Sequence, residues 1–389
     1  MHCFVKGHFM YCPIIVTCPR GLEEKLAEEI QSFLSRQIII HQGYVNLKGD
    51  WQDIYMINLH SRLASRVLLQ LVEGSANSEE ALYQLSRGVP WDRWFSPLKT
   101  IKVRVEGSAS WCRRFDILAL KVKDAICDVF REKANLRPSV DKVNPDIRVL
   151  AHIKQKKANL YLDTSGEALF KRGWRQQSAV APIRENLAAG LLSWLGYSGE
   201  SPCLDPMCGC GTIAIEAAMI AAKIAPGLKR PFAFQKFRQF DSFLWNQLLN
   251  QAQKQQRVPC FPIMASDRSS LVIKTAIQNA QNAGVENFIH FKCLPFDQVI
   301  PSTSPGLLLS NPPYGKRLSD LATIQSSYPA WSTLLKQRFT DWTAAFFTHD
   351  LKFPKLLRLT PKRRIPLYNG KLECRLYVFD MVAGSNRRS

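Results

Sequence analysis

The sequence contains no apolar run approaching the roughly 20 residues that a bilayer-spanning helix needs. Its N-terminal stretch, Met1 to Met10, carries Lys6 but lacks an apolar core followed by a small-residue cleavage site, which argues against a secretion signal. Cysteine is present without pairing: the count is eleven, an odd number, and the only close pair, Cys208 and Cys210, sits inside a glycine-rich segment. That pattern offers no two-pair zinc spacing. Free thiols in a reducing cytoplasm are expected instead. The seven histidines are not paired at ligand spacing, so no metal is expected. Acid is scarce as well. Asp and Glu number 32 against 52 Lys and Arg, giving a formal charge of +20 and an isoelectric point near 9.6. A polyanionic partner follows, because neutralising phosphates releases counterions. Basic residues cluster at Arg113-Arg114, at Lys154, Lys156 and Lys157, at Lys171, Arg172 and Arg175, and between Lys352 and Arg364. Each cluster alone fits a solvated face. The excess as a whole does not, and no basic amphipathic helix points to a membrane surface.

What is present is more specific. Asn311-Pro312-Pro313-Tyr314 follows the apolar run Gly306 to Ser310, which reads as a buried strand. An exocyclic amine on a nucleobase is a poor nucleophile, because its lone pair is delocalised into the ring. The Asn311 side-chain oxygen and the Pro312 carbonyl can each accept one amine proton, through bonds that strengthen as nitrogen becomes positive. The prolines bias the backbone toward extended conformation and remove N–H donors, which frees carbonyls to face a pocket. Tyr314 can stack on the base. By itself the tetrapeptide fits a Pro-rich surface turn equally well.

A second motif lies upstream. Cys203-Leu204 leads into Asp205-Pro206-Met207-Cys208-Gly209-Cys210-Gly211-Thr212, and Ile213, Ile215, Ala217, Ala218 and Ile220 follow, reading as strand, glycine loop and apolar helix. Gly209 and Gly211 allow the backbone to approach a ligand, and the helix start offers N–H groups to a carboxylate. A dinucleotide site would require a third glycine and an acid about 20 residues further on. Position 214 is Ala. The leading Asp205 suits an ammonium, as in the methionine part of S-adenosylmethionine, better than a pyrophosphate. Gly-Cys-Gly alone would be an ordinary tight turn; the pairing with Asn311 favours the donor site.

Pro262 to Asp267 reads as the next strand, and its terminal acid is placed to hold a ribose. Asp267 or Ser269 also fits a helix N-cap ahead of the periodic run from Leu271 to Ala283. Asp297 follows a third apolar segment, where it could meet an adenine amine or simply be solvated.

At 389 residues and 46% hydrophobic, the chain can build two or three domains. Periodicity gives strands at Ile14 to Val16 and Ile38 to Ile40 around a helix from Leu22 to Leu34, which suits a small ferredoxin-like unit. A helix around Leu59 to Leu71, a strand at Ile101 to Val105 and a helix from Leu118 to Phe130 come next. Ile147 to Ile153 and Leu160 to Leu162 form a hairpin around Lys154 to Lys157, a candidate RNA-facing edge. Ser165 to Ser178 reads as a polar linker, and Ile183 to Leu195 as a helix. The insertion Lys223 to Arg257 has Trp245, Leu248 and Leu249 at helical spacing, which suits packing. Lys371 to Asp380 reads as a closing strand.

Asp205 to Ile220, Ala225 to Leu228 and Ser310 to Leu318 resemble the bacterial 23S rRNA guanine-N2 methyltransferase family, specifically the N-terminal half of its two-headed members. Met56 to Leu59 and Ser61 to Val67 resemble its THUMP RNA-binding domain, and Lys121 to Ile126, Pro145 to Val149 and Ala181 to Ala189 match in order, so the likeness runs from about Tyr11 to Asp380. Cys210 stands where a Ser is usual, and the acid near 297 is displaced relative to many members. The resemblance implies an α/β architecture: a doubly wound, Rossmann-like class I methyltransferase sheet preceded by α+β ferredoxin-like and THUMP units. The expected divisions are 1–52, 53–164 and 165–389. It also implies S-adenosylmethionine as methyl donor, with Asp205, Pro206, Met207, Gly209, Gly211, Thr212, Asp267 and Asp297 around it and Asn311, Pro312, Pro313 and Tyr314 around the base. The implied partner is 23S rRNA or an assembling large subunit, met in the cytoplasm. With the chain ending near Ser389, a single methylation is expected. A tRNA guanine, an adenine N6, or a non-catalytic RNA-binding role are the alternatives.

Overall fold

The computed structural model describes residues 11–175, 183–301, 305–313 and 318–382, which fall into two compact units. The first takes the chain up to Thr17, Ala27–Leu169 and Arg230–Asn250; the second takes Cys18–Leu26, Phe170–Lys229 and everything after Asn250.

The first unit is built on one seven-stranded sheet. In chain order its elements are β1 (Cys12–Thr17), α1 (Glu23–Gln31, shared with the second unit), β2 (Ile38–His41), β3 (Tyr44–Gly49), α2 (Trp51–His60), β4 (Arg66–Ser75), α3 (Glu79–Arg87), β5 (Ile101–Ser108), α4 (Phe115–Ala134), β6 (Ile147–Lys154) and β7 (Lys157–Asp163). The strand order β2-β3-β1-β4-β7-β6-β5 joins the ferredoxin-like strands to the later ones through the antiparallel β4–β7 pair. The expected helix from Leu59 to Leu71 is not formed. α2 ends at His60, and Arg66–Ser75 is a strand. Val67, Leu68 and Leu69 are all buried in succession, so β4 is covered on both faces there, and a short continuous apolar run does not separate strand from helix by periodicity. The hairpin around Lys154 to Lys157 forms as expected.

The segment read as a polar linker is built into the structure as far as it is described. Ser165 Oγ donates to Asn58 Oδ1 at 2.7 Å and accepts the Val67 N–H at 2.9 Å, while Asn58 Nδ2 donates to Thr164 Oγ1 at 3.0 Å. Part of the insertion also belongs to the first unit. Phe234 lies against Tyr55 with centroids 4.6 Å apart, Trp245 meets Tyr55 edge-on at 5.9 Å, and the Asp241 N–H donates to the Tyr55 hydroxyl at 3.0 Å. Trp245 and Leu248 are packing residues as expected; Leu249 is only half-buried.

The second unit carries the other seven-stranded sheet. Its elements are α5 (Glu185–Trp194), β8 (Cys203–Asp205), α6 (Thr212–Ala221), α7 (Ser242–Lys254, entering from the first unit), β9 (Ile263–Asp267), α8 (Ser270–Ala283), β10 (Ile289–Cys293), β11 (Leu307–Ser310), α9 (Leu318–Arg338), β12 (Thr343–Thr348), α10 (Phe353–Leu357), β13 (Arg363–Asn369) and β14 (Leu372–Asp380). The order is β10-β9-β8-β11-β12-β14-β13, with β14 antiparallel to both β12 and β13. Strands β10 through β12 are parallel, and their sequence-central members are buried runs such as Leu307–Ser310, as a sheet covered on both faces requires. From β8 the chain goes first to β9 on one side and later to β11 on the other. The gap between the carboxyl ends of β8 and β11 is therefore the switch point at which open α/β sheets bind ligands.

Candidate active site

Both sequence motifs sit at that switch point. β8 ends at Asp205 and β11 ends at Ser310, immediately before Asn311, and Leu204 pairs with Leu308 across the two strands. Ser310, which sequence reasoning passed over, joins the motifs directly: its hydroxyl donates to Asp205 Oδ1 at 2.9 Å. The Met207 N–H donates to the same carboxylate at 3.3 Å. Asp205 is only 1% exposed. Burial pushes its pKa up to about 7, against the opposing pull of the Ser310 and Met207 bonds, and the nearby Asp267 charge adds to the rise. A carboxylate so held gains from any cation brought to it.

The loop after β8 needs its glycines. Gly209 has φ +54° and Gly211 φ +84°, conformations that side chains disfavour. A Cβ on Gly211 would come within 3.1 Å of the Ala276 Cβ on α8, so this glycine also sets the close approach of the two helices. A Cβ on Gly209 would meet no described atom within 4 Å, so there the backbone faces open space. The loop is pinned at several points. The Gly209 N–H donates to Asp267 Oδ2 at 3.1 Å, the Cys208 N–H to the Ser266 carbonyl at 2.9 Å, and Asn279 Nδ2 to the Cys210 carbonyl at 3.1 Å. Asp267 also accepts the Ser269 N–H at 3.1 Å, but the N-cap of α8 is Ser269, so Asp267 stands beside the loop without capping the helix.

α6 begins at Thr212 with Gly211 as its N-cap, and no side chain caps it. Arg175 and Glu185 stand beside this helix start, with a guanidinium–carboxylate distance of 2.9 Å, and Arg172 pairs with Glu216 of α6 at 3.3 Å. In sequence these residues stand out only as part of a basic cluster and of helical runs; spacing carries no signal for a pair formed across the fold.

Pro206 and Thr212 are buried, and Met207 is half-buried. Asn311 is half-buried, Pro312 buried and Pro313 exposed; Tyr314 lies outside the described residues. Asp297 is exposed on the 3-10 turn Phe296–Gln298, which the buried Phe296 anchors, and its carbonyl accepts Arg338 Nη1 at 2.9 Å. No hydrogen bond joins its carboxylate to the β8–β11 cluster among the described residues. The thiols of Cys203 and Cys208 are driven upward chiefly by burial, which keeps them protonated and unsuited to nucleophilic chemistry. Among the described residues no group of three His, Cys, Asp or Glu could hold a metal ion, and no helix is long and apolar enough to cross a membrane.

A parallel sheet closed by an antiparallel final strand, with a glycine loop after its first strand and Asn-Pro-Pro after its fourth, defines a Rossmann-like class I methyltransferase. The comparisons agree. The RMKL-like methyltransferase domain model matches residues 172–378, the THUMP domain 76–163 and the RlmL ferredoxin-like domain 13–68. The chain belongs to the RMKL-like methyltransferase family. It is 38% identical over 371 residues to the ribosomal RNA large subunit methyltransferase K/L of Pseudoalteromonas atlantica, covering 94% of this chain and 53% of that protein. It thus spans about half the length of such curated relatives. A putative RNA methyltransferase of Synechocystis is 36% identical, with 95% of this chain and 97% of that one covered. The solved structure of SMU.472, a putative methyltransferase complexed with SAH, superposes with a TM-score of 0.89 at 27% identity, covering 97% of this chain and 100% of that one.

Proposed function

We propose that this chain transfers the methyl group of S-adenosylmethionine to the exocyclic N2 of a guanine in 23S rRNA. The observation that carries this reading is the Ser310–Asp205 bond, which ties an ammonium-seeking carboxylate to the strand that ends in Asn-Pro-Pro.

The residues fit the donor. Asp205, buried with one hydroxyl and one amide as partners, would take the ammonium. The uncapped first turn of α6 suits the carboxylate, because its N–H groups and the helix dipole favour an anion. Asp267, steadied by the Gly209 and Ser269 N–H groups, would hold the ribose hydroxyls. Pro206, Met207 and Thr212 shape the loop around it, and Asp297 is assigned to the adenine. Bound there, the donor supplies an electrophilic methyl on a positively charged sulfur.

Asn311 and Pro312 would each accept one proton of the target amine and aim its lone pair at that methyl, with Pro313 fixing the turn and Tyr314 stacked on the base. The new C–N bond forms as the S–C bond breaks, sulfur keeps the electron pair, and the surplus proton on nitrogen leaves to water. No strong base is required, since orientation supplies much of the acceleration. A paired guanine would have to be flipped out to reach the site. The large-subunit name of the K/L relatives, the THUMP match and the charge of +20 support an RNA substrate, 23S rRNA free or in an assembling subunit, modified in the cytoplasm. The units proposed to grip it are 1–52 and 53–164, with 165–389 catalytic.

The test incubates purified protein with labelled S-adenosylmethionine and unmodified 23S rRNA, 16S rRNA and tRNA, then identifies the labelled nucleoside. N2-methylguanosine from 23S rRNA, free or, in a parallel incubation, in assembling subunits, is expected. Label on adenine or in tRNA would overturn the substrate assignment, and no label in any of these would overturn the activity.

A further inference from the structure

Two arginines, Arg172 and Arg175, lie three residues apart on the segment that follows the first unit, and they are used differently. Arg172 and Glu216 are closed off, their side chains 2% and 0% exposed, as a structural pair should be. Arg175 is not closed off. Its side chain is 16% exposed, and the edge of its guanidinium formed by Nη1 and Nη2 faces the end of the glycine loop.

A guanidinium has five N–H bonds to satisfy. In Arg175, Nε donates to Glu185 Oε1 at 2.9 Å, Nη2 to the Ile183 carbonyl at 3.1 Å and to Thr212 Oγ1 at 2.9 Å, and Nη1 to Cys210 Sγ at 3.3 Å. Nη1 therefore spends one N–H on a thiol, a weak acceptor, and has a second with no hydrogen-bond partner among the described residues. Its position is electrostatically costly in isolation. Thr212 is the first residue of α6, and a cation there faces the positive end of the helix dipole. Glu185 offsets the charge from one side: burial raises its pKa, and Arg175 opposes that rise. On the side of the loop no acid pairs with it among the described residues, and Gly211 leaves the first turn without a side-chain cap. A guanidinium edge and an uncapped helix start thus face a single region, and both call for an anion.

We propose that Arg175 binds the α-carboxylate of the methyl donor, with Glu185 holding the guanidinium in place. The assignment rests on the donor reading given above and adds to it the group that distinguishes the amino-acid end. Thr212 then has a second role, fixing Nη2 so that Nη1 presents its remaining N–H to the ligand.

The test compares S-adenosylmethionine with decarboxylated S-adenosylmethionine, which keeps the ammonium, sulfonium and nucleoside but lacks the carboxylate. Calorimetric titration of wild type, Arg175→Gln and Arg175→Lys with both ligands separates carboxylate recognition from loop shape. Loss of a charge-assisted hydrogen bond predicts that Arg175→Gln binds S-adenosylmethionine about 10- to 100-fold more weakly. Its affinity for the decarboxylated ligand should be unchanged, and Arg175→Lys should recover part of the loss. Equal weakening for both ligands, or for neither, would overturn the assignment, and the Lys variant alone decides the matter should the Gln variant not fold. Wild-type protein that binds neither ligand would be a separate result, overturning the donor reading itself.

Discussion

In the N-terminal unit the ion pairs Arg87–Glu132, Arg104–Glu106 and Arg114–Asp116 leave every partner more than 40% exposed, whereas in the catalytic unit no partner of Arg172–Glu216 or Arg175–Glu185 exceeds 16%. The exposed pairs sit in screened water, where such contacts contribute little to stability and leave the charges available to an outward field. Arg172–Glu216 is closed off from water along α6, and the partly open Arg175–Glu185 pair stands beside the helix start. Buried acids of the N-terminal unit are held in two ways: Asp53 and Asp163 pair with Arg36 and Arg66, while Glu29 accepts the Ser61 hydroxyl at 2.6 Å and the Arg62 N–H at 2.7 Å, holding the turn between α2 and β4. Both units carry surface pairs, Lys362–Asp380 in the catalytic unit among them, but the two pairs beside α6 differ from the three exposed ones in lying next to the glycine loop.

The largest test of that contrast is Glu216→Gln. Removing one partner of a buried pair leaves the other uncompensated, so the variant should lose about 3–5 kcal/mol of stability, read from chemical denaturation. A loss no larger than that of a surface substitution would break the comparison.

The next effect is one of pH. Asp205 has its pKa raised from 3.8 to about 7 by burial, so in the free protein it holds its proton below about 7, while an ammonium ligand requires the carboxylate. Donor affinity should rise as pH passes upward through 7 and fall by about tenfold per unit below it, with proton release on binding near neutrality. Titrations in buffers of different ionisation enthalpy would detect that proton. Stability has the opposite sign. A raised pKa favours the folded state below the unfolded value of 3.8, and this advantage is lost as pH climbs to about 7. A pH-independent affinity across that window would contradict the assigned role of Asp205.

The smallest effect is expected at Arg87–Glu132. Glu132→Gln should leave the thermal midpoint unchanged at physiological salt, since both partners are exposed. A clear shift would show that surface pairs in the N-terminal unit are structural after all.

What could be read from sequence divides along the same line. The glycine loop and Asn-Pro-Pro were legible because their chemistry is local: Gly209 and Gly211 are needed for their own φ angles, and Asn311 follows its own strand. Arg175, Glu185 and Ser310 were not, because each acquires its role from a partner brought close only by folding. Burial deceived the pattern at Val67 to Leu69, where an apolar run on β4 lacks alternation. Polarity deceived it at Ser165, read as linker but buried and bonded to Asn58 more than 100 residues away. Trp245 was legible as packing, but its neighbour Tyr55 in the N-terminal unit was not.

The central claim is that the end of β8 holds the donor while the end of β11 orients the amine. Measuring donor affinity and the single-turnover methylation rate of Asn311→Ala at saturating donor tests it most directly. The rate should fall by about 10²- to 10³-fold, as for other preorganised hydrogen-bonding groups, with donor affinity essentially unchanged. An unchanged rate, or a loss confined to donor affinity, would contradict the account.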